Sequence, residues 1–378
     1  MSDGPAGAEP AGLYVHIPFC QSKCPYCDFY SEVDDSRHDA FVDAALREAE
    51  RHAASRGPFD TLYLGGGTPS VLAPDRLAAL LDGLGERCVF VSDVELTLEV
   101  NPDDVTPSLA KHWRELGINR ISVGAQSFDE AELRFLGRRH TAAVALRALE
   151  AVREHGPQNL SIDLMYGFHG QTESELLLSL DTAFTFAPDH LSCYQLTLEP
   201  RTAFGRRHAR GDLQRLDEEE ERSSFLLVAD AIRSRDFDHY EISNFASTLF
   251  SRSRHNQKYW RHVETIGLGP GAHSYRERCR RRNVDSVAEY IGRARDDGDA
   301  TIETETLTEN QIRLETLFLG LRTSNGVSLE FVRTLDRGQE TVDTLVQEGL
   351  VNIVRERVAP TLEGYLLADS LPLRFAID

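Results

Sequence analysis

Short apolar runs alternate with longer amphipathic ones through the first two hundred residues. Segments 13–17, 61–64, 95–100, 120–123, 160–164 and 191–196 are brief and rich in Val, Ile, Leu or Tyr, as β-strands are. Between them, 40–54, 74–84, 108–116, 142–154 and 173–186 place apolar residues at helical spacing. A strand followed by a helix, repeated, predicts a parallel sheet with crossover helices. Six such units suit an α/β fold of the partial (β/α)6, TIM-like barrel type, and periodicity alone leaves an open doubly wound sheet equally available. In either architecture the chemistry belongs at the carboxyl ends of the strands, where the βα loops converge.

The pattern changes after Pro200. Residues 217–222 are almost continuously charged and lead into an apolar helix over 225–232, the acidic start suiting the positive end of a helix dipole. Residues 267–274 form a tight glycine-rich loop, expected to return to the mouth of the barrel. Beyond 301 the chain reads as a small unit of its own. Thr308 and Gln311 make a capping box before a helix over 312–321, helices follow at 328–335 and 340–348, and 349–351 with 358–360 read as a β-wing. The predicted organisation is a disordered tail at 1–12, the barrel at 13–200, an extension at 201–300 and a helical, winged-helix-like domain at 301–378.

Composition narrows the partners. There are 41 basic against 61 acidic residues, a net charge of −20, which opposes a broad phosphate-binding face and makes nucleic acid a poor first choice. Residues 1–12 lack the apolar core and the basic cluster of a targeting segment, and no apolar run approaches the ~20 residues that span a bilayer. A soluble, cytoplasmic protein is expected, with its thiols reduced.

Three of the six cysteines, Cys20, Cys24 and Cys27, lie in a C-x3-C-x2-C spacing directly after the first strand. Three thiolates on a four-iron cubane leave one iron open to another ligand. The spacing alone also leaves zinc available, although the nearest histidine, His16, sits on the preceding strand. Further features fall at successive strand ends: Gly65-Gly66-Gly67-Thr68-Pro69 after the second, Glu99 to Pro102 after the third, Gly124 to Phe128 after the fourth and Asp163 on the fifth. A glycine triplet lets backbone N–H groups approach a ligand closely, and this one lacks the Lys-[Ser/Thr] ending of a nucleotide-binding P-loop. Cys88, Cys193 and Cys279 are isolated and read as small buried hydrophobes. The basic stretch 276–282 reads as a solvated loop.

Tyr14, the cysteine loop with Tyr26 before its last thiol, and the GGGTP run together resemble the radical S-adenosylmethionine enzymes, and within them the HemN/HemW branch. The resemblance covers most of the chain. It implies a 4Fe-4S cluster on Cys20, Cys24 and Cys27, with S-adenosylmethionine on the open iron. By the same match Gly66, Gly67 and Thr68 hold the amino end of that cofactor, Glu99, Gln126, Arg138 and Asp163 bind its amino-acid part and ribose, and Tyr14 and Tyr26 lie against the cluster-bound end and adenine. Two features separate the sub-branches. Oxidases of the HemN type carry a further cysteine two residues after the third, where this chain has Phe29, and His255-Asn256-Gln257-Lys258-Tyr259-Trp260 matches the HNxxYW segment of HemW-type haem chaperones. A neutral imidazole can ligate haem iron and aromatics can cover a porphyrin face, so the resemblance implies haem as cargo, contact at His255 and delivery to acceptor proteins, with a transient contact at a membrane surface left open. A lone histidine beside Tyr and Trp is otherwise a packed or surface residue. The alternative function is oxygen-independent coproporphyrinogen III oxidation, an activity that Phe29 argues against. A radical enzyme acting on RNA is disfavoured by charge.

Overall fold

The computed structural model describes residues 9–34 and 36–376. Six parallel strands follow the predicted order: β1 (Ala11–Ile17), β2 (Phe59–Gly66), β3 (Phe90–Val100), β4 (Arg120–Gln126), β5 (Asn159–Tyr166) and β6 (His190–Gln195). The crossovers are α1 (His38–His52), α2 (Pro74–Arg87), α3 (Pro107–Glu115), α4 (Glu130–Phe135) with α5 (Ala142–His155), and α6 (Glu173–Phe184). Their apolar faces cover one side of the sheet. Leu13, Val15 and Ile17 of β1, Leu64 of β2, Leu98 of β3, Ile121 and Val123 of β4 and Ile162 of β5 are fully buried there with Phe41, Leu77, Leu80 and Leu149 of the helices. Residues between these leucines and valines point to the other side, because strand side chains alternate, and that side is polar: Tyr63 meets Glu99 and Ser122 meets Asp163.

The rest of the sheet comes from beyond Pro200. After α7 (Ala203–Ala209) and α8 (Glu218–Arg233), β7 (Asp238–His239) and β8 (Asn244–Ala246) close one edge antiparallel to β6. Following α9 (Arg254–Trp260), β9 (Thr265–Leu268) pairs parallel to β1 on its free side, and β10 (His273–Arg276) and β11 (Cys279–Asn283) continue outward. After α10 (Val287–Asp297), β12 (Thr301–Thr306) forms the far edge. The result is one twelve-stranded sheet with seven adjacent parallel strands. Its two ends are not paired to each other, so the barrel is partial.

The strands of residues 201–300, the predicted extension, lengthen both ends of the same sheet. The strand β12, at the start of the segment predicted as the last domain, also pairs into that sheet. One sequence-based expectation changes. Residues 276–282 are a hairpin, with Arg280 paired to Glu315 and Arg282 to Asp285 and Glu303. Of the predicted tail, residues 1–8 lie outside the described residues, whereas Glu9 pairs with Arg261 and β1 already starts at Ala11. Cys88 and Cys193 are buried as expected, and Cys279 is half-buried.

The glycine loop does reach the carboxyl end of β1: Gly269 N donates to Glu48 Oε2 (2.9 Å), and Asn283 Nδ2 donates to Gly269 O (2.9 Å). The C-terminal unit has its own core, built from α11 (Glu309–Gly320), α12 (Leu329–Arg333), α13 (Gly338–Gln347) and α14 (Leu362–Leu366) with a three-stranded sheet of β13 (Val327–Ser328), β14 (Val351–Val354) and β15 (Arg357–Pro360). Leu317, Val332, Val342, Leu345, Val351 and Val358 fill it. The capping box at Thr308 and Gln311 is present.

Helix α9 closes the amino-terminal end of the strands. Both carboxylate oxygens of Glu95 accept from its first backbone N–H groups, Arg254 and His255, at 3.1 Å each, satisfying donors that a helix start leaves open. One turn on, the fully buried Lys258 ammonium donates to Pro10 O at 2.7 Å and lies 2.6 Å from Asp60 Oδ1. Removing one member of a buried pair strands the other charge. Lys258→Met is expected to lower stability by about 3–5 kcal/mol and Lys258→Met with Asp60→Leu to recover most of that loss. Thermal melts of the three proteins test this, and a single variant that melts like the parent would show that the pair does not secure the helix.

Candidate cluster and cofactor site

The cysteine loop leaves β1 at Pro18 and is closed at its base by Cys20 N donating to Glu32 O (3.0 Å) and Glu32 N donating to Pro18 O (2.7 Å). Separate elements then clamp it. Phe204 N of α7 donates to Pro25 O (2.9 Å), and Arg201 pairs with Asp28 at 2.8 Å. The turn after α4 touches Pro25 through Gly137, where φ is +66° and an added Cβ would lie 2.6 Å from the proline ring. Only glycine meets both conditions without strain.

The glycine triplet docks against the root of this loop. Gly67 N donates to Ile17 O (2.9 Å) and Thr68 N to Phe19 O (2.7 Å). A Cβ on Gly67 would fall 2.7 Å from Phe19 O and 2.9 Å from Ile17 O, so the close approach of two backbones requires glycine. Thr68 Oγ1 is thereby brought to 3.4 Å from Cys20 Sγ. Arg138, just past the Gly137 turn, donates from one guanidinium nitrogen to Cys24 Sγ (3.4 Å) and from the other to Asn101 Oδ1 (2.7 Å) and Gly124 O (3.0 Å). Its Nε is buried with no hydrogen-bond partner. Gln126 ends β4 with φ at +67°, a left-handed conformation uncommon for a side chain of this size.

Glu99 lies at the centre of the polar side. Its Oε1 accepts from Tyr63 OH (2.7 Å) and its Oε2 from Gly66 N (3.2 Å). Burial, and the charge of nearby Asp163, push its pKa up to about 7 in spite of these donors. Asp163 accepts from Ser122 Oγ at 2.9 Å and is likewise raised by burial. Tyr14 packs 6.1 Å from the Tyr63 ring and shares a hydrogen bond with His16 Nδ1 (3.0 Å). Tyr26 is next to Cys24 and Arg138, and burial raises its pKa. Burial also raises the Cys27 thiol, an effect that a bound metal reverses by favouring the thiolate.

Thus Cys20, Cys24, Cys27, Tyr26, Gly66, Gly67, Thr68, Glu99, Gln126, Arg138 and Asp163 gather at the carboxyl ends of the strands, with Tyr14 just below. His255 lies below them on α9, its ring 5.2 Å from that of Tyr63 and 6.2 Å from that of Tyr14. It is 1% exposed, with Nδ1 2.8 Å from Thr61 Oγ1 and Nε2 2.9 Å from Tyr259 OH. Both ring nitrogens are engaged inside the protein, which departs from the expectation of an imidazole open to haem iron. Burial depresses its pKa to about 3, so the ring is neutral.

No three His, Cys, Asp or Glu side chains among the described residues converge on a point where a single metal ion would sit. A cubane needs no such convergence, because each thiolate meets a different iron. The buried Arg138 Nε, which has no acceptor among the described residues, and three thiols on one clamped loop fit an anionic cluster.

The family model for the radical SAM superfamily matches residues 14–183. The heme chaperone HemW of Bacillus subtilis is 36% identical to this chain, over 95% of the chain and 97% of its own length. The chain belongs to the HemW family. The HemW of Escherichia coli is 39% identical over 70% of each chain. Among solved structures, the coproporphyrinogen III oxidase HemN of Escherichia coli, described as a radical SAM enzyme, superposes with a TM-score of 0.81 over 97% of this chain and 90% of its own, at 22% identity, a likeness of fold. The HemW-family chain thus has a parallel α/β sheet of the radical SAM type. Among the described residues no helix is long and apolar enough to cross a membrane.

Sequence reading missed Tyr63 and Ser122 as members of this site, and placed Asn101 at the strand end without a role. The available signal is strand alternation: Tyr63 shares a face with Gly65, and Ser122 with Gly124. A pH prediction follows from Glu99. Between its ordinary value of 4.5 and about 7 the folded chain keeps a proton that the unfolded chain has released, so this group's contribution to stability is full at low pH and lost as pH rises through 7. Glu99→Gln removes the effect. Denaturant melts of the metal-free protein at pH 5 and pH 8 should show the parent losing about 2 kcal/mol relative to the variant, a value reduced from the full shift because the side chain keeps partial contact with solvent. Parallel pH profiles would overturn the assignment.

Proposed function

We propose that this protein is a haem chaperone that carries a 4Fe-4S cluster liganded by S-adenosylmethionine and passes haem to acceptor proteins. The observation that carries the proposal is the near-full-length similarity to proteins named heme chaperone HemW. In this reading Cys20, Cys24 and Cys27 hold the cluster. Gly66, Gly67 and Thr68 present backbone and hydroxyl groups to the amino end of S-adenosylmethionine, Glu99 takes its ammonium, and Gln126, Arg138 and Asp163 position the remainder, with Tyr14 and Tyr26 on its flanks. When bound, the cluster supplies an electron to the sulfonium, the chemistry common to the superfamily. The chain's own part is to orient: Arg138 ties the Cys24 strand of the loop to Asn101 and Gly124, and the Glu99 carboxylate is held by Tyr63.

Phe29 supports cargo handling over porphyrinogen oxidation. It is 67% exposed on the cysteine loop, at the position where a HemN-type sequence places a further thiol. His255 enters as the anchor of α9, the helix that carries the HNQKYW segment. Its contact to Thr61 fixes that helix against the sheet. Acceptor proteins, with or without a membrane surface beside them, complete the reading, and the expected site of action is the cytoplasm.

Titration of haem into anaerobically reconstituted protein should give a saturable change in the Soret band. Conversion of coproporphyrinogen III to protoporphyrinogen IX by a protein that binds no haem would overturn the proposal. Replacement of Cys20, Cys24 and Cys27 together by alanine should abolish the iron and sulfide retained after reconstitution, and undiminished iron would remove the cluster assignment.

A further inference from the structure

Helix α9 has two working faces. His255, Lys258 and Tyr259 turn toward the strands, whereas Gln257, Trp260 and Arg261 lie on the other side, spaced three and four apart as residues sharing a helix face must be. That second face meets the C-terminal unit across a groove of about 560 Å³, to which Trp260, His262, Thr316, Phe331 and Arg357 contribute. The volume falls within the ~300–1,000 Å³ of pockets that take cofactor-sized ligands. The groove is distant in the fold from the cysteine loop, at the amino-terminal end of the strands.

Three polar groups in it keep some hydrogen-bonding or charge capacity unused among the described residues. The indole N–H of Trp260 is buried with no acceptor, a cost unless something else receives it. The Arg357 guanidinium donates to the carbonyls of Asn325 and Gly326 (the latter at 2.7 Å) and, among the described residues, forms no ion pair with a carboxylate, unlike Arg261 beside it, which is held by Glu9. His262 follows α9 with φ at +52°, a left-handed conformation that only a fixed surrounding maintains. Its Nε2 lies 3.2 Å from Glu315 Oε2, and Glu315 is itself held by Arg280 at 2.6 and 2.7 Å. A carboxylate taking the Nε2 proton fixes the tautomer and leaves Nδ1, which makes no hydrogen bond, with the lone pair. Histidines that bind metals are oriented by such a carboxylate. Burial also favours the neutral ring.

We propose that this groove between α9 and the C-terminal unit is the haem site, with His262 as iron ligand, Trp260 and Phe331 against the porphyrin face, and Arg357 at a propionate. The proposal rests on the haem-chaperone reading and names where the cargo sits. Its chemistry is a flat apolar dianion carrying a metal: aromatic walls suit the ring, an unpaired guanidinium suits a carboxylate, and an imidazole with an open nitrogen suits the iron. His255, two turns earlier, offers no open nitrogen.

The test uses the full-length reconstituted protein in a Trp113→Phe background, so that Trp260 is the fluorophore. Haem should quench its fluorescence in step with the Soret change. His262→Ala should shift the Soret maximum and weaken binding at least tenfold, and Arg357→Glu should weaken it about tenfold while leaving the Soret position of the bound form unchanged, as expected for loss and reversal of a charge-assisted contact. Far-ultraviolet circular dichroism establishes that both variants are folded, and Arg357→Lys should restore part of the affinity. If the parent binds haem and both variants bind it equally well with unaltered spectra, the groove is not the site although the chaperone reading stands. If the parent binds none, that reading fails and the groove assignment with it.

Discussion

Strand β1 is held in register between β2 and β9, and the placement of every other functional element follows from that pairing. Tyr14 is opposite Tyr63 on one side and Gly267 on the other, so the residues leaving β1 at Pro18 emerge at the same level as the glycine triplet leaving β2. Parallel strands bring all their carboxyl ends to one side of the sheet. The cysteine loop, the triplet, Asn101, Gln126 and the Gly137 turn meet there although well over a hundred residues of chain separate the first from the last. The loop is therefore tied to the sheet, to α7 and to the Gly137 turn by contacts among protein groups.

The two faces of the sheet obey different rules. The helix-covered face is filled with Leu, Val and Ile, as expected of buried parallel strands. The opposite face is lined with Glu, Asp, Arg, His, Tyr and Ser, which burial tolerates only because they satisfy one another. Glu95 spends both carboxylate oxygens on the start of α9, and Arg120 donates to Ser251 O at 2.9 Å. At the other end Tyr63, Gly66 and Ser122 donate to Glu99 and Asp163, and burial nonetheless raises the pKa of both carboxyls.

The six strand–helix units were legible because apolar period and turn residues agree over each of them, and the C-terminal helices because Thr308 and Gln311 announce their start. The clustering of site residues was legible for the same reason, since strand ends are where the pattern changes. What followed Pro200 was not. The strands β7 and β8 have two and three residues, too short for any period, and β11 is Cys-Arg-Arg-Arg-Asn, whose charge hides its pairing. That β9 inserts beside β1 depends on contacts across some 250 residues of sequence, which no local pattern records. His255 was assigned haem contact from the match of its segment to HNxxYW. Its partners, Thr61 and Glu95, lie on strands far earlier in the chain, so its burial could be seen only in three dimensions.

The two-faced character of α9 has a mechanical consequence. Seven residues long, it is tied to the sheet by Glu95 at its first turn and by Lys258 at its second, and these bonds are buried. A ligand entering the groove on its far side meets a wall that cannot retreat without breaking them. Any adjustment to the size or tilt of that ligand must then come from the C-terminal unit, whose core is separate from that of the sheet. The small domain faces that helix across the groove and is joined to the sheet at its rim, where Ser324 N donates to Tyr240 O at 2.9 Å.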